Sequence, residues 1–235
     1  MANILEKYGI KEVADVMFYE IDDNGAAGKP VLYLDTLKVS TIEQTAEEAS
    51  ANGGKGNAPL IIWDYGKEIT VTLEDALFSA KSMAIMFGDG DISSSASSLK
   101  KTISWTATGA SPTVPTGAVT YDATGTSVTS YTAGQIYYTT FDMAVTDVSE
   151  IEISANSFPG TYYVTGDTYA RSEKNGVDEF FQFIIPKAKV QSENTITLEA
   201  DGDPSVFNLN LRVLRPAGGG AMMRLVKYDM TEING

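Results

Sequence analysis

The side chains that could carry chemistry in this chain are carboxylates, lysines and tyrosines, because its 235 residues include no histidine and no cysteine. Those two residue types supply most nucleophiles, near-neutral proton shuttles and soft metal ligands. Their absence excludes thiol proteases, Ser-His-Asp hydrolases and zinc sites built from thiolate or imidazole. Hydrolysis by two carboxylates stays open, but no spacing selects a pair. The sequence therefore favours a structural or binding role and predicts no catalytic residue and no cofactor.

A glycine-rich segment is the part of the chain most similar to an anion-binding loop, because backbone amides in such turns can surround a phosphate. The glycine that a phosphate-binding loop needs upstream of its Gly-Lys pair is missing, and no serine or threonine follows Lys55. We therefore predict a flexible loop that contacts a neighbouring subunit. Its residues are Gly53, Gly54, Lys55, Gly56 and Asn57.

Two Asp-Gly-Asp triplets, at residues 89–91 and 201–203, offer the hard oxygen ligands that calcium prefers. Neither triplet continues into the long loop with a terminal glutamate that a calcium-binding hand requires. Ordinary turns therefore explain both triplets better. Glu43, Glu47 and Glu48 recur at helical spacing, which a solvated face explains. The sequence thus predicts no metal site.

The charge balance argues against ordinary nucleic-acid binding. Acids outnumber bases 31 to 17, which gives a formal net charge of −14, whereas proteins that neutralise phosphates need clustered lysine and arginine. One interpretation is solubility through self-repulsion. The other is a surface that repels phosphates, so that a duplex slides past without adhering. Charge alone leaves both open.

Apolar spacing predicts one amphipathic helix of about four turns. Thr72 is its predicted N-cap, and Gly88 stands where a left-handed residue would end it. A strand over residues 68–72 precedes this predicted helix. Its apolar face is formed by Leu73, Ala76, Leu77, Ala80, Ala84 and Phe87.

Most of the remaining chain predicts β-structure. Alternation and turn residues indicate strands over the following ranges: 31–39, 59–63, 135–141, 151–154, 161–168, 179–189, 195–199, 206–213 and 222–228. A turn is predicted at residues 64–66. The fold class is mainly β, an antiparallel β-sandwich or barrel with one flanking amphipathic helix. We expect a single domain over residues 1–235, with residues 89–134 as a polar, Ser/Thr-rich surface insertion of hairpins or loops.

The last of these strands combines methionine, arginine and an aromatic residue, as interfaces and sheet edges often do. We therefore predict assembly contacts at Met222, Met223, Arg224, Leu225, Lys227 and Tyr228.

Adjacent aromatic residues in a strand point to opposite faces, so one of each pair needs a cover outside the core. Protein contact is the favoured cover. Carbohydrate stacking is the alternative, on Tyr137, Tyr138, Tyr162 and Tyr163.

The segments 66–78, 181–189 and 196–203, within a β-rich acidic chain, resemble virion structural proteins of tailed bacteriophages, in particular tail tube (major tail) proteins. The resemblance implies a β-sandwich or barrel flanked by a helix. It also implies rings of identical subunits, commonly hexameric, that stack into a hollow tube conducting DNA during ejection.

The same resemblance implies the partners and the location. Subunits would contact one another and other virion proteins, DNA would pass without specific binding, and no membrane would be involved. The protein would be made in the host cytoplasm and reside in the virion tail, with its polar insertion on the outside. A capsid decoration or other head protein is the alternative within this group.

Overall fold

The computed structural model describes residues 7–95, 97–108, 113–173, 176–196 and 206–228. The chain divides into two compact units. The first unit is Met1–Asp91 with Ile151–Gly235, and the second is Ile92–Glu150. Residues 92–134 of the predicted insertion fall in the second unit. The single domain with an insertion at residues 89–134 stays a prediction.

Twelve strands and one helix are present in the described residues. In chain order they are β1 Tyr8–Ile10, β2 Asp15–Ile21, β3 Ala27–Leu34, β4 Leu37–Gly53, β5 Ala58–Asp75, α1 Ala80–Phe87, β6 Ser97–Thr106, β7 Val119–Tyr121, β8 Ile136–Val145, β9 Thr161–Ser172, β10 Asp178–Val190, β11 Phe207–Val213 and β12 Arg224–Tyr228. All the strand pairs are antiparallel. The prediction of a mainly β fold with antiparallel sheets and one helix is confirmed, and the sheets are consistent with the sandwich of the two predicted alternatives, sandwich or barrel.

In the first unit, strand β10 pairs with β9 along one side and with two different strands, β12 and β11, along the other. The strand order is β3-β2-β9-β10-β11-β5-β4, with β1 added to β9 and β12 added to β10. Residues 180–184 of β10 pair with β12, whereas residues 188–190 pair with β11. The register shifts between Ile185 and Ala188, where Pro186 has no N–H to donate to a ladder. β12 and β11 therefore follow one another along the same side of β10.

Side chains from strands on both sides of β10 in this order share one hydrophobic core. Phe18 on β2 and Ile185 on β10 are fully buried with Val71 on β5 and Leu211 on β11. Burying each such side chain contributes about 1.5–3 kcal/mol. The helix α1 adds Ile85 and Met86 to the same cluster. Strands that are distant in the sheet order thus face each other across a shared apolar layer, as a sandwich requires.

Gly166 on β9 lies directly opposite Phe183 on β10. A Cβ atom at Gly166 would overlap the Phe183 ring, so the aromatic ring occupies the space above the glycine. The backbone of β9 is extended here, and the requirement for glycine comes from this close approach alone.

The predicted helix begins too early. Leu73 lies in β5, between Ser40 of β4 and Leu209 of β11, because pairing on both sides outweighs a helical spacing of apolar residues. The helix is Ala80–Phe87, and Ser79 rather than Thr72 is its N-cap. Gly88 ends it with an extended φ of −143°, so the predicted left-handed end is also wrong.

Residues 37–75 form one long β-hairpin, which corrects two expectations. The acidic residues Glu43, Glu47 and Glu48 lie on strand β4, not at helical spacing on a helix. The turn predicted at residues 64–66 is a β-bulge inside β5, where Gly66 has φ +62° and the register shifts between Thr45 and Glu47. Elsewhere in the first unit, the strand predicted over residues 151–154 is absent, and these described residues are irregular.

The second unit contains a three-stranded sheet in the order β6-β8-β7. Three of its aromatic rings, Trp105, Tyr131 and Tyr137, pack together with centroids 5.1–5.4 Å apart, and of these the Tyr137 ring is buried. Trp105 Nε1 donates to Thr139 Oγ1 at 2.9 Å, and Thr139 shares a 2.8 Å hydrogen bond with Thr120. The buried polar groups of this sheet therefore satisfy one another.

Candidate assembly surfaces

The outer half of the β4–β5 hairpin, residues 46–66, is here called the distal ribbon. Its two strands pair with each other from Glu47 with Tyr65 to Gly53 with Ala58. The neighbouring strand β11 pairs only with residues 70–75 of β5. Within the described part of the chain the distal ribbon is therefore two strands wide, and an isolated two-stranded hairpin is at best marginally stable in water. At 3.3 Å per residue its length is roughly 30 Å.

Five large apolar side chains of the distal ribbon are open to solvent in the single chain. They are Leu60, Ile61, Ile62, Trp63 and Tyr65, each between 52% and 69% exposed. Successive strand residues alternate between faces, so both faces of the ribbon are apolar. Contiguous exposed apolar surface of this kind marks a contact with another molecule.

The glycine-rich segment predicted as a loop is the turn that closes this hairpin. Gly54 and Gly56 have φ angles of +79° and +89°, and Asn57 has φ +51°. Left-handed conformations of this kind favour glycine and asparagine, which explains the composition of the segment. The Asn57 amide donates to the Gly54 carbonyl oxygen at 3.2 Å. Lys55 is exposed at the tip.

The strand predicted near the C-terminus forms as β12 and adds to β10 along one side. Arg224 and Leu225 are exposed, whereas Met222 and Met223 are half-buried against the core. Lys227 pairs with Glu179. The Tyr228 ring stacks on Phe180 with centroids 5.5 Å apart. The structure thus places all six predicted residues on or beside this strand; their role in assembly stays a prediction.

The strands β3 and β12 border opposite sides of one layer. β10 pairs with β9 through residues 178–185, so β12, which pairs with residues 180–184, must lie on the other side of β10. On the far side of β9 come β2 and then β3. The layer order is therefore β3-β2-β9-β10-β12, and in the described part of the chain each border strand has one side without a ladder.

The face of this layer that points away from the core carries carboxylates. Asp15 on β2 stands directly opposite Asp167 on β9, although like charges in that position repel. Asp167 accepts hydrogen bonds from Gln182 Nε2 at 2.9 Å and from the Tyr228 hydroxyl at 3.1 Å. Partial burial and then the Asp167 charge raise the pKa of Tyr228, which keeps this donor protonated. Tyr33 beside Asp15 likewise has a raised pKa, from desolvation first and then from Asp15.

The first Asp-Gly-Asp triplet is an ordinary turn. The Asp91 amide donates to Asp89 Oδ1 at 3.2 Å. The ammonium group of Lys81 donates to the Gly90 carbonyl oxygen at 2.5 Å, so that oxygen is already bound by a positively charged side chain. The second triplet, at residues 201–203, lies outside the described residues. Among the residues that the structure describes, no three acidic side chains are grouped as metal ligands.

Two of the four tyrosines considered for carbohydrate stacking are buried. Tyr137 is 5% exposed within the aromatic core of the second unit, and Tyr162 is 8% exposed in the core of the first. Neither ring can therefore serve as a stacking platform. Their neighbours point to the opposite strand faces, where Tyr138 is exposed and Tyr163 is half-buried. The stacking alternative thus retains one tyrosine in each unit.

Sequence patterns did not predict the distal ribbon as an element, although a signal was present. The run Leu60-Ile61-Ile62-Trp63 is uniformly apolar and not alternating, which predicts a strand buried on both faces. In the single chain neither face of it is buried. That contradiction between sequence and exposure makes the distal ribbon a candidate assembly surface.

Open strand edges and an uncovered apolar ribbon are typical of structural proteins that bury such features against neighbouring chains. The particular family follows from a comparison with family models. Residues 8–225 match the model described as the YomU/Tube protein family, and the chain belongs to this family. The resemblance to phage tail tube or related virion proteins is thereby confirmed. A comparison with curated proteins gives no match. No helix in the described residues is long and apolar enough to cross a membrane.

Proposed function

We propose that this protein is a non-enzymatic structural subunit of a bacteriophage tail tube, whose copies form rings that stack into a channel for DNA. The distal ribbon carries the proposal. Five large apolar side chains on a two-stranded ribbon, each at least half exposed, would promote aggregation unless a specific neighbour covered them. Membership of a tube protein family supports the proposal, and the neighbours that we propose are further copies of the chain and other proteins of the virion tail.

Ring closure is proposed to use the two borders of the layer β3-β2-β9-β10-β12. The edge of β12 in one copy pairs with the edge of β3 in the next, which continues the sheet across the subunit boundary. Such a contact joins different surfaces of identical chains, so it closes into a ring when the rotation per subunit permits. A ring of six is what the family resemblance implies.

The outward face of the same layer is proposed to line the channel. Its opposed carboxylates Asp15 and Asp167 would be repeated around the ring by every copy. A wall of this sign repels phosphates, so DNA passes without adhering. The net charge of −14 is consistent with such a wall.

Stacking of rings is proposed to use the distal ribbon and its turn, Gly53 to Asn57. The ribbon extends away from the body of the first unit, as the exposure of residues 54–67 indicates. Burying its apolar side chains against an adjacent ring contributes about 25 cal/mol per Å² of apolar surface removed from water. Burial of five large side chains would therefore stabilise the contact between adjacent rings.

Electron microscopy of the concentrated protein tests the proposal. The wild-type chain should form rings or tubes, and the variant with Ile61→Asp and Trp63→Asp should stay monomeric while keeping a β-type circular dichroism spectrum. Thr106→Asp, at an exposed strand position in the second unit, is the matched control and should assemble. Assembly of the double variant at the wild-type concentration would contradict the role given to the ribbon.

A second test separates the tail from the head. Antibodies against the protein, coupled to gold, should label virions along the tail. Label confined to the capsid would instead make this a head protein, which is the alternative within the same group of virion proteins.

A further inference from the structure

Two adjacent apolar side chains beside a small cleft form a second uncovered surface, at the base of the β4–β5 hairpin. Leu77 is 65% exposed and Phe78 is 50% exposed; they follow the end of β5 and are here called the Leu77–Phe78 platform. The Phe78 ring is held at 4.0 Å between centroids from the buried Phe207. The Phe78 ring is therefore held in position although it is half open to solvent.

The cleft next to the platform is acidic. Its volume is about 200 Å³, and Asp35 and Asp75 line it together with Tyr33 and the platform residues. Asp75 is 2% exposed; one of its oxygens accepts from the Thr36 hydroxyl at 2.5 Å and from the Leu77 amide at 3.2 Å. None of the described residues that line the cleft is basic.

The two serines of the cleft are already engaged. Ser79 and Ser82 form the capping box of α1, in which the Ser82 amide donates to Ser79 Oγ at 3.0 Å and the Ser79 amide donates to Ser82 Oγ at 2.9 Å. Among the described residues that line the cleft, the group left to attract a ligand is the exposed Asp35 carboxylate beside the apolar platform, because the Asp75 carboxylate is buried and already accepts two hydrogen bonds. Such a site suits a cationic side chain carried on an apolar segment.

We propose that the Leu77–Phe78 platform and its cleft receive the tip of the distal ribbon from a second copy of the chain, with Lys55 directed at the exposed Asp35 and the buried Asp75 adding negative charge behind it. This inference rests on the proposed function and names the surface that the ribbon contacts. Lys55 is the one basic residue between residues 39 and 66 of the sequence, and the glycines on either side leave it free of steric cover. The apolar side chains that follow it, Leu60 and Ile62 among them, match the platform.

The positions of the two surfaces within the hairpin support head-to-tail stacking. Leu37 pairs with Asp75 at the base of the hairpin, and Gly53 pairs with Ala58 at its tip. The cationic tip and the acidic cleft thus lie at opposite ends of the same pair of strands, separated by the 17 residues of β4, roughly 55 Å of strand. A contact between opposite ends of identical chains repeats without limit along one axis, which is how a tube grows.

Charge exchange tests the pairing. Lys55→Glu and Asp35→Lys should each raise the concentration needed for tube formation by tenfold or more, and the double variant should return it to near the wild-type value. Lys101→Glu, an equal charge change at an exposed position of the second unit, is the control and should leave assembly unchanged. If each single variant blocks assembly but the double variant does not recover it, the pairing of Lys55 with Asp35 is wrong while the tube function stands.

Disulfide formation gives an independent readout, because the wild-type chain contains no cysteine. A variant with Ala58→Cys and Ala76→Cys, which keeps Leu77 and Phe78, should give a ladder of covalent multimers when assembled protein is oxidised, and Ala58→Cys with Thr106→Cys should give none beyond dimers. Tubes without the ladder would overturn the inference alone. A wild-type chain that never assembles would overturn the proposed function as well.

Discussion

Tyr228 and Asp167 are joined by a 3.1 Å hydrogen bond from the tyrosine hydroxyl, although their strands, β12 and β9, lie on opposite sides of β10. Gln182 of the intervening strand donates to both oxygens of the same carboxylate, at 2.9 and 3.1 Å. Three strands are thus fastened through one side chain, which holds the border strand β12 in place for the contact proposed with β3 of a neighbouring copy.

Tyr228→Phe should keep the ring stacked on Phe180 and lose only the hydrogen bond to Asp167. The expected cost is about 1 kcal/mol in the free energy of unfolding, measured by urea denaturation. Hydrogen exchange should show the larger change in β12 and little change in β11. Equal protection of β12 in the variant and the wild type would contradict the fastening role.

The raised pKa of Tyr228 predicts a dependence of stability on alkaline pH. Because the folded state holds the hydroxyl protonated, its contribution is complete below the ordinary tyrosine pKa of about 10. That contribution disappears as the pH rises through the raised folded value. The difference in stability between the wild type and Tyr228→Phe should therefore be constant from about pH 7 to 9 and shrink above about pH 10. A difference that stays constant well beyond that range would refute the assignment.

Gly166→Ala should destabilise the fold, because the added Cβ overlaps the Phe183 ring. Overpacking of this kind costs about 1–3 kcal/mol, read as a lower urea midpoint. Combining it with Phe183→Leu should cost less than the sum of the two single changes, since the smaller side chain frees the space. Additive costs would mean that the two residues do not share that space.

Trp63 offers a direct report on burial of the distal ribbon. In a Trp105→Phe variant it is the one tryptophan of the chain, and it is 54% exposed in the single subunit. Its emission should therefore lie near that of a solvated indole in dilute protein and shift to shorter wavelength on assembly. The reciprocal variant, Trp63→Phe, reports on Trp105 in the second unit and should show no such shift.

Much of the β-structure was accessible from sequence because alternation and turn residues agree over β9, β10 and β11. The start of the helix was not, since Leu73 satisfies a helical spacing by coincidence and only the ladder with Leu209 reveals its strand. The glutamate and alanine residues of β4 have a high intrinsic propensity for helix. This segment becomes a strand because the apolar β5 pairs with it along most of its length.

Of the candidate surfaces, likewise, one could be predicted from the sequence and one could not. The turn at residues 53–57 was found because its glycines are needed for left-handed backbone and leave a local signature. The acidic cleft was not, because Thr36 and Asp75 are 39 positions apart and meet only through the pairing of β4 with β5. Local patterns thus identify turns and strands, whereas a site assembled from distant segments needs the register.

A reconstruction of the assembled protein by electron cryomicroscopy tests the central claim most directly. The expected map shows stacked rings in which β12 of each subunit continues the sheet at β3 of its neighbour and the distal ribbon is buried against the next ring. A chain that sediments as a monomer at every concentration, or a tube in which the ribbons project into solvent, would contradict it.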